Sequence, residues 1–119
     1  MTLVFVYGTL KRGGSNHGFM DGQSFVGTAG TAPGFALYDL GGYPGLVPAP
    51  GGASAVSGEV WSVSEACLAR LDELEGTAEG LYRRERVPLA GPFAASEVQA
   101  YVYLRGTEGR PLLGSEWEG

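Results

Sequence analysis

Leu71-Asp72-Glu73-Leu74-Glu75-Gly76 is the stretch from which the rest of the chain can be read. It closes a helical pattern that has its start signals upstream. Ser62 with Glu65 three positions later forms a capping-box pattern, and Ser64 is a second candidate cap. With Leu68 as origin and about 100° per residue, Leu71 falls near 300°, Leu74 near 240° and Cys67 near 260°. Those side chains make one apolar arc, and the pattern predicts the principal helix over Glu65–Leu74, ended by Gly76. Glu75 falls at about 340°, inside the arc between Leu68 and Leu71, while Arg70, Asp72 and Glu73 fall outside it. Glu75 is the odd residue. Partial burial and the negative end of the helix dipole both disfavour its charged form. Such a carboxylate is costly unless a partner or a mobile proton compensates it. The alternative is that the last turn frays and Glu75 reaches solvent.

The bulk composition narrows what surrounds this helix. A length of 119 residues is expected to form one domain, 1–119, with a modest core. The 21 glycines and 7 prolines point to many turns rather than long helices. Neither low-complexity segments nor repeats of solenoid length accompany them. A net charge of −5 argues against nucleic acid, which wants a basic face. One cysteine excludes an intramolecular disulfide and a thiolate metal cluster. No stretch approaches the roughly 20 apolar residues that span a bilayer. Met1-Thr2-Leu3 leads straight into a strand pattern without a signal-peptide layout, so a cytoplasmic protein is expected.

Leu3-Val4-Phe5-Val6-Tyr7 is a continuously apolar run, as in a strand buried on both faces. It breaks at Gly8-Thr9-Leu10-Lys11-Arg12-Gly13-Gly14, a loop able to present backbone N–H groups to an anion or a carbonyl oxygen. The loop nearly matches G-x-x-x-x-G-K-[ST], but Gly14 stands where the phosphate-binding lysine belongs. A plain turn is its structural alternative. Asn16 to Met20 is expected to open a short helix. His17, the single histidine, suits a capping or turn role. Cys67 lies on the core arc, so a Cys–His dyad has little support.

Further strands are predicted over Phe25–Thr28, Phe35–Tyr38, Gly45–Val47, Val56–Trp61, Tyr82–Leu89 and Val98–Leu104. Glu59 is expected to face solvent or to pair across its strand. The tail from Gly106 is polar and Gly-rich, with order in doubt over 106–119. The pattern reads as α+β: a small mixed β-barrel of short strands with one principal helix beside it.

Four stretches, in order, resemble the gamma-glutamylcyclotransferase-like family. They are Val6 to Gly13 with Asn16-His17, Val56 to Trp61, Leu71 to Gly76, and Tyr82-Arg83-Arg84. The resemblance covers Leu3 to about Leu104 and is nearest the short branch. That branch includes gamma-glutamylamine cyclotransferase and an acyl-carrier-protein-acting antibiotic biosynthesis enzyme. The resemblance implies a cavity where the loop after the first strand meets the helix C-terminus. By matching positions, Tyr7, Gly8, Thr9 and Leu10 would hold the glutamyl part of a substrate, Tyr82 would stand near it, and Glu75 would be the acid–base residue. Residues 40–55, rich in Gly, Pro and Ala, match no particular branch, so the leaving group stays open.

The chemistry so implied is an intramolecular aminolysis. The α-amine of a γ-glutamyl amine or peptide attacks its own γ-carbonyl, releasing 5-oxoproline and the partner amine. One carboxylate of raised pKa can take a proton from the ammonium and return one to the leaving amine. Such a reaction requires no metal and no organic cofactor. The rival reading is a non-catalytic module that binds a small carboxylated or γ-glutamyl ligand; a third is an interaction protein with an incidental pocket. Oligomeric state is not encoded in any of these patterns.

Overall fold

A computed structural model of the chain describes residues 1–52 and 54–118. Seven strands and one α-helix follow in the order β1 Thr2–Val6, β2 Ser24–Gly30, β3 Phe35–Asp39, β4 Pro44–Pro48, β5 Ser57–Val63, α1 Glu65–Leu74, β6 Tyr82–Arg86 and β7 Gln99–Tyr103. Two short 3-10 helices, His17–Met20 and Gly91–Phe93, punctuate the chain.

The apolar run becomes β1 because it has two cores to serve. Val4 and Val6 face the core that α1 covers, while Phe5 and the following Tyr7 face a second core on the other side of the sheet. Alternation along a strand sends neighbours to opposite faces, so both faces of β1 can be buried at once. On α1, Cys67, Leu68 and Leu71 fill the first core with Leu74 packed at its edge, as the 3.6-residue period requires.

The sheet runs β2-β5-β1-β7-β4-β3, with β6 paired along β7. β1 pairs antiparallel with β5 and parallel with the start of β7 through Val4 and Gln99. β4 takes over the same edge of β7 further along, again parallel, through Leu46 and Val102. The sheet therefore forks where β1 ends and β4 begins. The barrel expected from the sequence is only partly matched, because strand pairing does not close the sheet. Among the described residues, a single bridge joins the end of β2 to the chain after β6, Thr31 to Leu89, flanked by hydrogen bonds from Ala32 N to Pro88 O and from Ala90 N to Gly30 O. Pro88 itself has no N–H to donate, which limits any ladder there.

Three local expectations are revised. Ser64 rather than Ser62 caps α1, its Oγ accepting from Cys67 N at 3.1 Å. Ser62 is instead a β5 residue paired with Leu3 and Ser24. Glu59 is buried, not solvated: its carboxylate accepts from Arg12 N, Arg12 Nε and Trp61 Nε1, each at 3.1 Å. The tail packs back on the body: Leu113 N donates to Leu37 O, Ser57 N to Ser115 O, and Lys11 Nζ to Trp117 O.

Candidate active site

The fork in the sheet is where a cavity forms. Its lining includes Tyr7, Gly8, Thr9 and Leu10 from the end of β1, Tyr43 and Pro44 from the start of β4, Glu75 from the end of α1, Tyr82 from β6 and Tyr101 from β7. The enclosed space is about 30 Å³ and opens outward to solvent. All six residues singled out from the sequence (Tyr7, Gly8, Thr9, Leu10, Glu75 and Tyr82) border this one cavity.

Glu75 reaches it because of how α1 ends. Gly76 adopts φ +64, donates its N–H to Glu73 O at 3.1 Å, and lets Thr77 N reach back to Asp72 O at 3.1 Å. This is a Schellman end, and it leaves Glu75 as the last αR residue with its N–H still bonded to Leu71 O. The side chain is half-buried, and burial pushes its carboxyl from 4.5 up to about 7. The sequence expectation of a costly, proton-hungry carboxylate thus has a structural counterpart.

Tyr7 serves the fork itself. Its hydroxyl donates to Tyr101 O at 2.7 Å and accepts from Leu46 N at 3.2 Å. It thereby replaces part of the ladder that β7 and β4 lack at their junction. Burial, with the nearby Glu75 charge, pushes the Tyr7 phenol far up, so it stays protonated. Its ring borders the cavity, but its hydroxyl is committed to the backbone. Tyr82 is similarly engaged, donating to Pro44 O at 2.7 Å. Pro44 in turn sits so close over Gly8 that a Cβ there would meet its Cγ at 2.5 Å. Only glycine permits that approach.

The loop after β1 is held from outside the cavity. Lys11 N donates to Gly8 O at 3.1 Å, Asn16 N to Thr9 O at 2.9 Å, and Asn16 Nδ2 to Thr9 Oγ1 at 3.0 Å. His17 Nδ1 lies 2.9 Å from Leu10 O and its ring packs edge-on against Trp61. These contacts take up the loop's carbonyls. Among the described residues, the N–H groups of Gly8, Thr9 and Leu10 donate to no acceptor in the protein. The arrangement sets unengaged backbone donors and a proton-holding carboxyl on the walls of one small cavity. It can grip an oxyanion or carboxylate and exchange a proton beside it.

Of the lining residues not singled out from the sequence, Tyr43 and Tyr101 are the ones with a polar side chain. Tyr43 lies in the Gly/Pro-rich region and is exposed at 40%, lifted by Gly41 and Gly42, whose N–H groups donate to Asp39 Oδ1. A large aromatic between Gly-Gly and Pro was the available signal. Tyr101 sat in a predicted strand without any mark of a site. Among the described residues, no group of three or more His, Cys, Asp or Glu gathers in a way that could hold a metal ion. Nor is any described helix long and apolar enough to cross a membrane.

This forked sheet with its cavity at a helix end places the chain in a known family. It belongs to the gamma-glutamyl cyclotransferase, AIG2-like family, whose model matches residues 4–119. A Vibrio cholerae protein provisionally named a gamma-glutamylcyclotransferase is 46% identical over 116 residues, covering 97% of this chain and 94% of its own. Human gamma-glutamylaminecyclotransferase is 38% identical over 124 residues, covering 90% of this chain and 80% of its own. The solution structure of YtfP from Escherichia coli superposes with a TM-score of 0.72 at 35% identity, covering 98% of this chain and 96% of that one.

Proposed function

We propose that this protein is a gamma-glutamylcyclotransferase that releases 5-oxoproline from a small γ-glutamyl amine by intramolecular aminolysis. The observation that carries the proposal is Glu75, a carboxyl held near 7 by burial, on the same cavity as the unengaged N–H groups of Gly8, Thr9 and Leu10. The substrate's α-carboxylate or developing oxyanion would take those N–H groups. Its α-ammonium would face Glu75, which removes one proton as the amine closes on the γ-carbonyl. The bond to the departing nitrogen then breaks as Glu75 returns that proton to it. The ring nitrogen's second surplus proton passes by way of Glu75 to the released amine, which departs as its ammonium. A group with a pKa near the working pH suits both transfers. Holding the substrate folded supplies the remaining advantage, since both reacting atoms belong to one molecule.

The lining bears on the leaving group. It contains four tyrosines but no Lys, Arg or His, so a leaving amine with its own carboxylate would find no cation there. Tyr43 at the mouth offers an aromatic face to an alkyl chain. An amine-linked substrate is therefore favoured over a γ-glutamyl amino acid. The name of the human relative points the same way. Incubating the protein with γ-glutamyl amines and γ-glutamyl amino acids while measuring 5-oxoproline tests the reading. Tight binding without any 5-oxoproline would replace the enzyme with a binding module.

A further inference from the structure

The geometry points to Asp72 as a positioning residue that, clamped by Arg84 and Tyr101, sets where the Glu75 carboxylate stands in the cavity. The inference rests on the assignment of Glu75 to the cavity; Asp72 and Arg84 lie outside the cavity lining, and Tyr101 joins them to it.

Asp72 lies one turn before Glu75 on α1, so the two side chains leave the helix on neighbouring lines. Its carboxylate accepts from Arg84 Nε at 2.8 Å, from Arg84 Nη2 at 3.1 Å and from Tyr101 Oη at 2.7 Å. Arg84 and Tyr101 are register partners across β6 and β7, so the donors come from one rung of the sheet. Arg84 Nη1 also donates to Gln99 Oε1 on β7, which fixes the guanidinium plane. The backbone carbonyl of Asp72 is equally engaged, accepting from Thr77 N and Thr77 Oγ1. Residue 72 thus pins the turn that follows Glu75 through its carbonyl and pins the helix to the sheet through its carboxylate. Glu75 sits between the two anchors.

The clamp continues into the cavity wall. Tyr101 gives its hydroxyl to Asp72, while its carbonyl accepts from Tyr7, whose hydroxyl in turn accepts from Leu46 N. One chain of hydrogen bonds joins α1, β7, β1 and β4, the elements that enclose the cavity. Helix propensity does not explain the choice of residue. Asp72, Glu73 and Glu75 crowd the negative end of α1, whose last turn carries no basic residue. An acid is locally unfavourable there, and only Asp72 has the geometry that recovers the loss. Burial works against its charge, but the hydrogen bonds from Arg84 and Tyr101 outweigh that and hold its carboxyl below the usual range. The titratable groups facing Glu75 in the cavity are the phenols of Tyr7, Tyr43, Tyr82 and Tyr101, none of them cationic. The position of Glu75, rather than a nearby charge, therefore governs its proton affinity.

The test is a carbon-detected NMR titration of the Glu75 carboxyl in the parent, Asp72→Asn, Arg84→Gln and Arg84→Lys, with exposed Glu73→Gln as control. Loosening the clamp lets the last turn lift and Glu75 gain water, so its midpoint should fall by about one pH unit or more in Asp72→Asn and Arg84→Gln. Arg84→Lys, which keeps the charge but loses the fork, should lie between them and the parent. Where 5-oxoproline release is measurable, kcat should drop about tenfold with KM little changed, because the Gly8–Leu10 loop is untouched. The rising limb of its pH profile should follow the NMR midpoint. Should Asp72→Asn fail to fold, Tyr101→Phe removes one of the hydrogen bonds and should shift the midpoint in the same direction by less. An unmoved Glu75 midpoint in folded Arg84→Gln and Tyr101→Phe, with only a lowered melting temperature, would overturn the inference. The titration needs no substrate, so loss of the proposed activity and loss of this inference are separate results.

Discussion

Replacing Glu75 with glutamine should stabilise the protein above neutral pH and leave it about as stable as the parent in acid. The folded state holds the Glu75 proton up to about 7, whereas the unfolded chain releases it near 4.5. Between those values the folded state binds more protons, so the parent loses stability as pH rises. At about 1.4 kcal/mol per pH unit, the loss amounts to about 3 kcal/mol once pH exceeds 7. Glutamine has no proton to lose and carries none of this dependence. Urea unfolding of both proteins from about pH 4 to about pH 8.5 gives the difference directly. It should grow through the interval from 4.5 to about 7 and then level off. A difference that stays flat with pH would refute the claim that Glu75 is held in a water-poor setting, and with it the argument for its proton chemistry.

Other consequences can be measured separately. Gly76→Ala must adopt φ +64 and bring its Cβ to 3.2 Å from that of Leu81, so it should cost about 1–2 kcal/mol in urea unfolding and reduce turnover by misaiming Glu75. Tyr7→Phe strips the hydroxyl that joins Leu46 N to Tyr101 O, and leaving those buried groups unpaired should cost about 2 kcal/mol or more; an unchanged unfolding midpoint would contradict the fork's dependence on Tyr7. Tyr43→Ala should raise KM for substrates with long alkyl leaving amines and change it little for the shortest, as read from initial rates across a chain-length series.

Much of this architecture was legible because it follows from local periodicity. The apolar arc of Cys67, Leu68, Leu71 and Leu74, ended by Gly76, gave the bounds of α1, and Glu75 stood out by interrupting that arc. The unbroken run Leu3–Tyr7 implied a strand with two buried faces. What escaped depends on contacts distant in sequence. The parallel pairing of β7 with both β1 and β4 leaves no periodic trace, so the fork could not be read and a closed or nearly closed barrel was expected instead. The Tyr7 hydroxyl reaches a carbonyl 94 positions away. Glu59 was misplaced for a nearer reason: Trp61 lies two residues on, on the same face of β5, and its buried indole N–H needs an acceptor. Asp72 looked like a solvated helix residue because Arg84 and Tyr101 become neighbours only once β6 and β7 pair.

The central claim is that Glu75 moves the proton in a cyclisation carried out in this cavity. It is tested most directly by measuring 5-oxoproline release from a γ-glutamyl alkylamine with parent and Glu75→Gln protein under identical saturating conditions. The account predicts release by the parent, with a rate that rises as pH passes about 7, and a fall of about 10² or more in the variant at similar affinity. Near-parental turnover in Glu75→Gln would contradict it.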